Sequence, residues 1–177
     1  GLVSRQKAGV GITTDPANPN WVIGWADSSG NGKNLSKGAW AGAPLYDSSN
    51  PLNGQPILGF GTGQGSTPSD QLYWSTNPLS GATAATGFIV VRAFQNGAGW
   101  GGNVWNFGSY GGPSAWSPPE VYEDFGNSTR PRLINDATLQ FGQWYVYGVT
   151  IGSGTMNGYI NGTLKGTVSG LTIGWKS

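Results

Sequence analysis

The chain has 177 residues, among them 32 Gly and 11 Pro, with 10% charged residues and a net charge of +1. That length suits one domain with a substantial core, and an aromatic content of 12% is too high for a disordered chain, which lacks the apolar surface to offset its entropy. The low charge argues against an electrostatic nucleic-acid binder, no apolar run nears the ~20 residues of a membrane-spanning helix, and the absence of Cys and His removes disulfides, thiolate and His-based metal sites and the Ser-His-Asp triad.

Residues 1–11 show no clear period. No basic segment precedes an apolar one there, so a signal peptide is expected to be absent or already removed. Residues 13–20 carry turn chemistry, and 21–25 (Trp-Val-Ile-Gly-Trp) read as a short strand. Residues 26–35 form a compact polar loop whose Asp, Ser and Asn side chains suit bonds to their own backbone. A Gly/Ala/Pro/Ser-rich stretch over 38–55 reads as a long surface connection, followed by a strand over 55–61, a loop to Asp70 and a short strand over 71–74. Residues 87–94 are the clearest central strand, apolar on both faces apart from Arg92. A glycine-rich loop over 95–102 carries Trp100, an alternating strand is expected over 103–110, and a Pro/Ser turn region over 113–119 carries Trp116. Residues 120–126 alternate again, 132–134 suggest a brief strand, and 136–142 suit one short helical turn.

The strongest signal lies over 143–168. Residues 143–152 are dense in β-branched and aromatic residues, with Trp144, Val146 and Thr150 on one face and Tyr145, Tyr147, Val149 and Ile151 on the other. A Gly152-Ser153-Gly154 break follows, and then Asn161-Gly162 between two alternating runs. Asn-Gly suits a type I′ hairpin turn because both positions need positive φ. Three antiparallel strands in a meander are predicted, within about ten short strands and no long helix, which is the pattern of an antiparallel sandwich.

Several stretches, taken in order, resemble the laminin-G-like members of the concanavalin-A-like lectin/glucanase superfamily. They are Gly1-Leu2-Val3, Ala8-Gly9-Val10-Gly11-Ile12-Thr13, Trp25-Ala26-Asp27 with Ser29-Gly30-Asn31-Gly32, and Asn53-Gly54-Gln55-Pro56-Ile57-Leu58-Gly59-Phe60. Phe88-Ile89-Val90-Val91, Trp105-Asn106-Phe107-Gly108, Trp144-Tyr145-Val146 and Gly158-Tyr159-Ile160-Asn161-Gly162-Thr163 complete the series. The resemblance covers nearly the whole chain and implies a two-sheet jelly roll. It departs in two places. The aromatic residue usual near Arg5-Gln6 is missing, and the sequence stops at 171–177 where relatives continue into another long strand. The sequence is therefore incomplete or one sheet edge is open, and an open edge is a template for another chain. A neighbouring subunit or partner segment is expected to complete or cover it.

Candidate chemistry is sparse. Glu120, Glu123 and Asp124 form an acidic cluster, with Glu120 and Asp124 expected on one strand face and Glu123 opposite. Glycosidases of this superfamily use paired carboxylates in a Glu-x-Asp-x-x-Glu spacing that is not present, so solvated carboxylates or partners for Arg130 and Arg132 are the favoured reading. Asp27, Asn31 and Asn34 offer oxygens, and some relatives bind calcium. Calcium needs six to eight such ligands, so a self-capping loop is favoured. Trp100, Tyr110, Trp116 and Tyr122, with Glu120, surround two adjacent loops and are the candidate glycan platform, since lectin-like sites stack sugars on aromatic rings. Those rings equally suit plugging the gaps glycines leave, or a subunit contact.

The sequence is thus expected to form an all-β, two-sheet antiparallel β-sandwich of jelly-roll, concanavalin-A-like type, one laminin-G-like domain over 1–177 with its last strand in question. Its expected role is that of a non-catalytic, lectin-like module of a phage virion or bacterial surface, needing no cofactor unless calcium binds. The expected partners are copies of itself, other subunits of the assembly and glycans, with neither nucleic acid nor membrane insertion. A glycoside hydrolase of the same fold is the alternative.

Overall fold

The computed structural model describes residues 1–39, 41–61, 70–93, 104–108, 112 and 120–176, together with the backbone of 114–117. The described residues contain thirteen strands and no helix, and every strand pairing is antiparallel. The fold is an all-β antiparallel sandwich. The chain divides into two compact units, Gly1–Pro78 and Leu79–Ser177.

The first unit holds β1 (Ile12–Asp15), β2 (Asn18–Trp25), β3 (Leu35–Lys37), β4 (Leu45–Leu52), β5 (Gln55–Gly59) and β6 (Leu72–Trp74). They form one sheet in the order β5-β4-β2-β3-β6, with β1 paired to β2. Much of the stretch expected to be turn is strand. The turn shrinks to Pro16-Ala17, where the Asp15 carboxylate accepts the Ala17 N–H at 2.8 Å and lets β1 and β2 pair. The expected surface connection over 38–55 is also corrected, because β4 runs through it. Asn53 and Gly54 have φ of 49° and 75°, closing a hairpin that brings β4 against β5.

The second unit holds β7 (Ala84–Val91), β8 (Ser114–Ser117), β9 (Glu120–Tyr122), β10 (Arg132–Asn135), β11 (Tyr145–Gly152), β12 (Thr155–Ile160) and β13 (Thr163–Ser169). One sheet runs β10-β9-β8 and the other β13-β12-β11-β7. The predicted meander is present as β11-β12-β13, joined by Ser153-Gly154 and Asn161-Gly162 turns with positive φ throughout. Its predicted faces also hold, since Tyr147, Val149 and Ile151 are buried and Val146 is exposed. The two layers meet because β12 and β13 carry glycines on their inner side. A Cβ at Gly158 would lie 2.9 Å from Leu133 and Ile134, and one at Gly166 would strike the Leu133 carbonyl. Side chains at either position would hold β10 away.

Most of the buried core belongs to this unit: Phe107, Val121, Phe125, Leu133, Ile134, Tyr147, Val149, Ile151, Met156 and Ile160 are its principal members. Trp175 seals one end. Its ring packs edge-on against Phe125 at 5.3 Å over Gly126, and its indole N–H donates to the Ala82 carbonyl at 2.6 Å. This is the gap-plugging use of an aromatic ring.

Three further expectations change here. Within 104–108 the predicted strand is reduced to a bridge, Trp105 to Gly112, because Gly108 is pressed onto the Asp124 and Asn127 carbonyls and the chain turns inward. Ser114–Ser117, expected in a turn region, is β8 and pairs with β9. Residues 136–142 form a hydrogen-bonded turn instead of a helical one, since the Asp136 carboxylate captures both the N–H and hydroxyl of Thr138. The predicted loops over 62–69 and 95–102 lie outside the described residues.

Candidate functional site

The acidic residues come first, because chemistry would begin with them. β9 ends at Tyr122, so the alternation expected through Asp124 lapses. Glu123 and Asp124 both turn inward and are buried, correcting the expectation that they are solvated or stand on opposite faces. The Glu123 carboxyl accepts the Tyr147 hydroxyl at 2.8 Å, the Asp124 N–H at 3.0 Å and the Trp105 indole N–H at 3.4 Å. Burial outweighs those donors and pushes its pKa up to about 8. Glu120 remains at the surface in the paired state expected of it. Arg132 donates to it at 2.6 Å and Tyr122 at 3.2 Å, and the guanidinium holds its carboxyl below the usual range.

Of the candidate glycan platform, Glu120 and Tyr122 are thus brought together with Arg132. Trp100 and Tyr110 lie outside the described residues, and for Trp116 only its place in β8 is described.

The calcium candidates sit in a loop that satisfies itself. The Asp27 carboxylate accepts the N–H groups of Arg5, Ser29 and Lys33 and the Ser29 hydroxyl at 2.7–3.0 Å. Burial would raise its pKa, but these hydrogen bonds win and hold it well below the usual carboxylate range. Asn31 points its amide N–H groups at the Leu2 and Val3 carbonyls, sewing the N-terminal segment to the loop. Among the described residues no three acidic side chains cluster as metal ligands.

A different feature stands out in the second unit. Its exposed large hydrophobic side chains, among the described residues, are Phe88, Val90, Val146 and Leu164. All four lie on the outer face of the β13-β12-β11-β7 sheet. The register places them in rows across the strands. Val90 pairs with Val146, and the next row reads Phe88, Gly148, Tyr159, Leu164. Beyond it come Thr86, Thr150, Asn157, Thr167 and then Ala84, Gly152, Thr155, Ser169. Two apolar rows therefore adjoin two rows of small and polar residues, and none of the four rows contains a charge.

Side-chain hydrogen bonds link neighbouring strands on this face. Asn157 accepts the Thr167 hydroxyl at 2.8 Å and donates to Thr150 at 3.4 Å, and Thr155 meets Ser169 at 3.3 Å. The Asn161 side chain of the type I′ turn accepts the Val146 N–H at 2.9 Å, extending the ladder past the last strand pair. Charges stay at the margins. Arg92 lies over the Trp144 ring at 4.7 Å, and Lys165, the extra residue of a bulge in β13, reaches Asp136 at 2.8 Å.

Phe88 is 71% exposed, an unusual position for a phenylalanine in a sheet whose solvent face is normally polar. Beside it stands Gly148, where a Cβ would lie 3.5 Å from the Tyr159 Cβ, so the Tyr159 side chain flanks that position. Sequence reasoning missed this face because both phases of residues 84–91 are apolar, so alternation does not say which is inside. Gly87 decides it. A Cβ there would lie 3.2 Å from Phe125 and 3.4 Å from Trp105, so residue 87 faces the core and Phe88 faces out.

Compared with protein-family models, curated proteins and solved structures, the chain shows no match. The class is accordingly the one the structure defines, an all-β antiparallel sandwich with one uncharged, partly apolar sheet face.

Proposed function

We propose that the chain is a non-catalytic, lectin-like surface module of a larger extracellular or virion assembly, of laminin-G-like jelly-roll type, acting by presenting a surface to partners. The observation that carries this reading is the outer sheet face, where all the large apolar side chains exposed by the second unit's described residues are gathered without a charge among them. An apolar patch on one face is the mark of a contact surface. The carboxylates support the non-catalytic part. Glu120 is engaged by Arg132 and Tyr122, Glu123 and Asp124 are buried, and Asp27 caps its own loop. Bond cleavage by the glycosidase route needs two reachable carboxyls flanking one sugar linkage. The low charge and absence of Cys suit a module packed among other subunits outside cells.

Reducing-end release from β-glucans tests the catalytic alternative directly. The expected result is no release above buffer. Turnover that disappears in Glu120→Gln would overturn the proposal in favour of a glycoside hydrolase.

A further inference from the structure

Asn-Gly pairs occur in the chain at 31–32, 53–54, 96–97, 157–158 and 161–162. Asn is a thermolabile residue, and a following glycine exposes it most, because no side chain hinders the next backbone nitrogen from reaching the amide carbon. The pair at 96–97 lies outside the described residues. We propose that Asn53, at the tip of the β4-β5 hairpin, is a site of spontaneous deamidation in the folded chain, and that the fold protects Asn31, Asn157 and Asn161. This goes beyond the surface-module reading and does not depend on it.

The step needs only water. The Gly54 nitrogen attacks Asn53 Cγ and a C–N bond forms. The bond from Cγ to Nδ2 breaks, and ammonia leaves with the proton that the Gly54 nitrogen gives up. Water then opens the succinimide at either carbonyl, giving an ordinary aspartyl linkage or an isoaspartyl one with an extra methylene in the main chain. Reaction therefore requires an amide free to turn onto the next nitrogen.

Three of the described pairs lack that freedom. Asn31 Nδ2 donates to the Leu2 and Val3 carbonyls at 2.8 and 3.1 Å. Asn157 donates to the Thr150 hydroxyl at 3.4 Å and accepts that of Thr167 at 2.8 Å, within β12, where Gly158 is pressed onto Leu133 and Ile134. Asn161 is the closest comparison, with φ of 50° against 49° for Asn53. Its Oδ1 accepts the Val146 N–H at 2.9 Å, and its own N–H donates to the Val146 carbonyl at 2.8 Å. The two asparagines share a backbone conformation and differ in the tether.

Asn53 is exposed, and among the described residues its side chain has no hydrogen-bond partner. One ladder pair, Leu52 to Gln55, closes its turn, and an irregularity separates that pair from the next one back, at Asp47. A Cβ on Gly54 would meet nothing, so the tip has room to move. Conversion raises the acidic residues from 8 to 9, against 9 basic ones, and takes the net charge from +1 to zero. The aspartyl product still suits the two-residue turn, as Asp-Gly does in general. The isoaspartyl product lengthens the loop and undoes the pair that closes it.

Peptide mapping by mass spectrometry, on the intact chain aged at mildly alkaline pH, follows each site separately. The peptide containing Asn53 is expected to exchange NH for O at least about tenfold faster than those containing Asn31, Asn157 and Asn161, the factor for releasing one or two side-chain hydrogen bonds. It is expected to appear as two products, one of them isoaspartyl. In urea that unfolds the chain the four rates are expected to converge, since every pair is then the same dipeptide in a flexible chain. A folded chain in which Asn53 reacts no faster than Asn161 overturns the inference. So does a ranking that survives in urea, which would assign the order to neighbouring residues instead of the fold.

Discussion

Glu123 is the residue whose placement has the clearest thermodynamic consequence. Its carboxyl is buried beside Tyr147 and Trp105 and titrates at about 8, against 4.5 for an ordinary glutamate. Between those values the folded chain keeps the proton and the unfolded chain releases it. The stabilisation is fully present below the unfolded value and is lost as pH rises through the folded one. Denaturation midpoints should therefore fall from about pH 5 to about pH 9 through this group. Glu123→Gln should flatten that dependence while keeping the fold, because an amide can donate to the Tyr147 hydroxyl oxygen and still accept from Asp124 N–H. Thermal melts of both proteins across that range check it, and an unchanged slope in the variant would refute the assignment. Asp27 works in the opposite sense. Its carboxylate is held ionised by Arg5, Ser29 and Lys33 backbone donors, so its contribution fades only in acid.

At the scale of the element, glycines set how closely the two layers approach. Gly158 on β12 faces Leu133 and Ile134 of β10, and Gly166 on β13 faces the Leu133 carbonyl. Gly158→Ala places a methyl 2.9 Å from two core side chains and should cost about 1–3 kcal/mol, the range for overpacking. Gly162→Ala touches nothing sterically but sits at φ 80° in the Asn161-Gly162 turn, so its cost is backbone strain alone. Urea titrations of Gly158→Ala should show the lower midpoint with an unchanged slope. A neutral result would mean that β10 is free to shift. The β11-β12-β13 meander was legible because its turns and its alternation agree. The β4-β5 hairpin turns on an equivalent Asn53-Gly54, but the Pro- and Ser-rich run of β4 made the stretch read as a surface connection. The bridge at Trp105 was not legible, because the contact that ends the strand, Gly108 on the Asp124 carbonyl, joins residues far apart in the chain.

For the whole molecule, few charges and one neutral sheet face determine how contacts respond to salt. Association through that face should be unchanged or strengthened between about 50 mM and about 1 M NaCl, since screening has no ion pairs there to weaken. Sedimentation across that range checks this, and dissociation at high salt would point to a charged contact elsewhere. The sequence by itself determined the all-β antiparallel class, the β11-β12-β13 meander with its Asn161-Gly162 turn, the division of β11 into two faces and the loss of His- and Cys-based chemistry. Those follow from period, turn residues and composition, all of which are local. The tertiary structure alone decided that Glu123 and Asp124 are buried while Glu120 is tied to Arg132, and that Phe88 faces outward. It did so because inside and outside on a strand apolar in both phases are settled by what packs across the layers, and here Phe125 and Trp105 leave room only for Gly87.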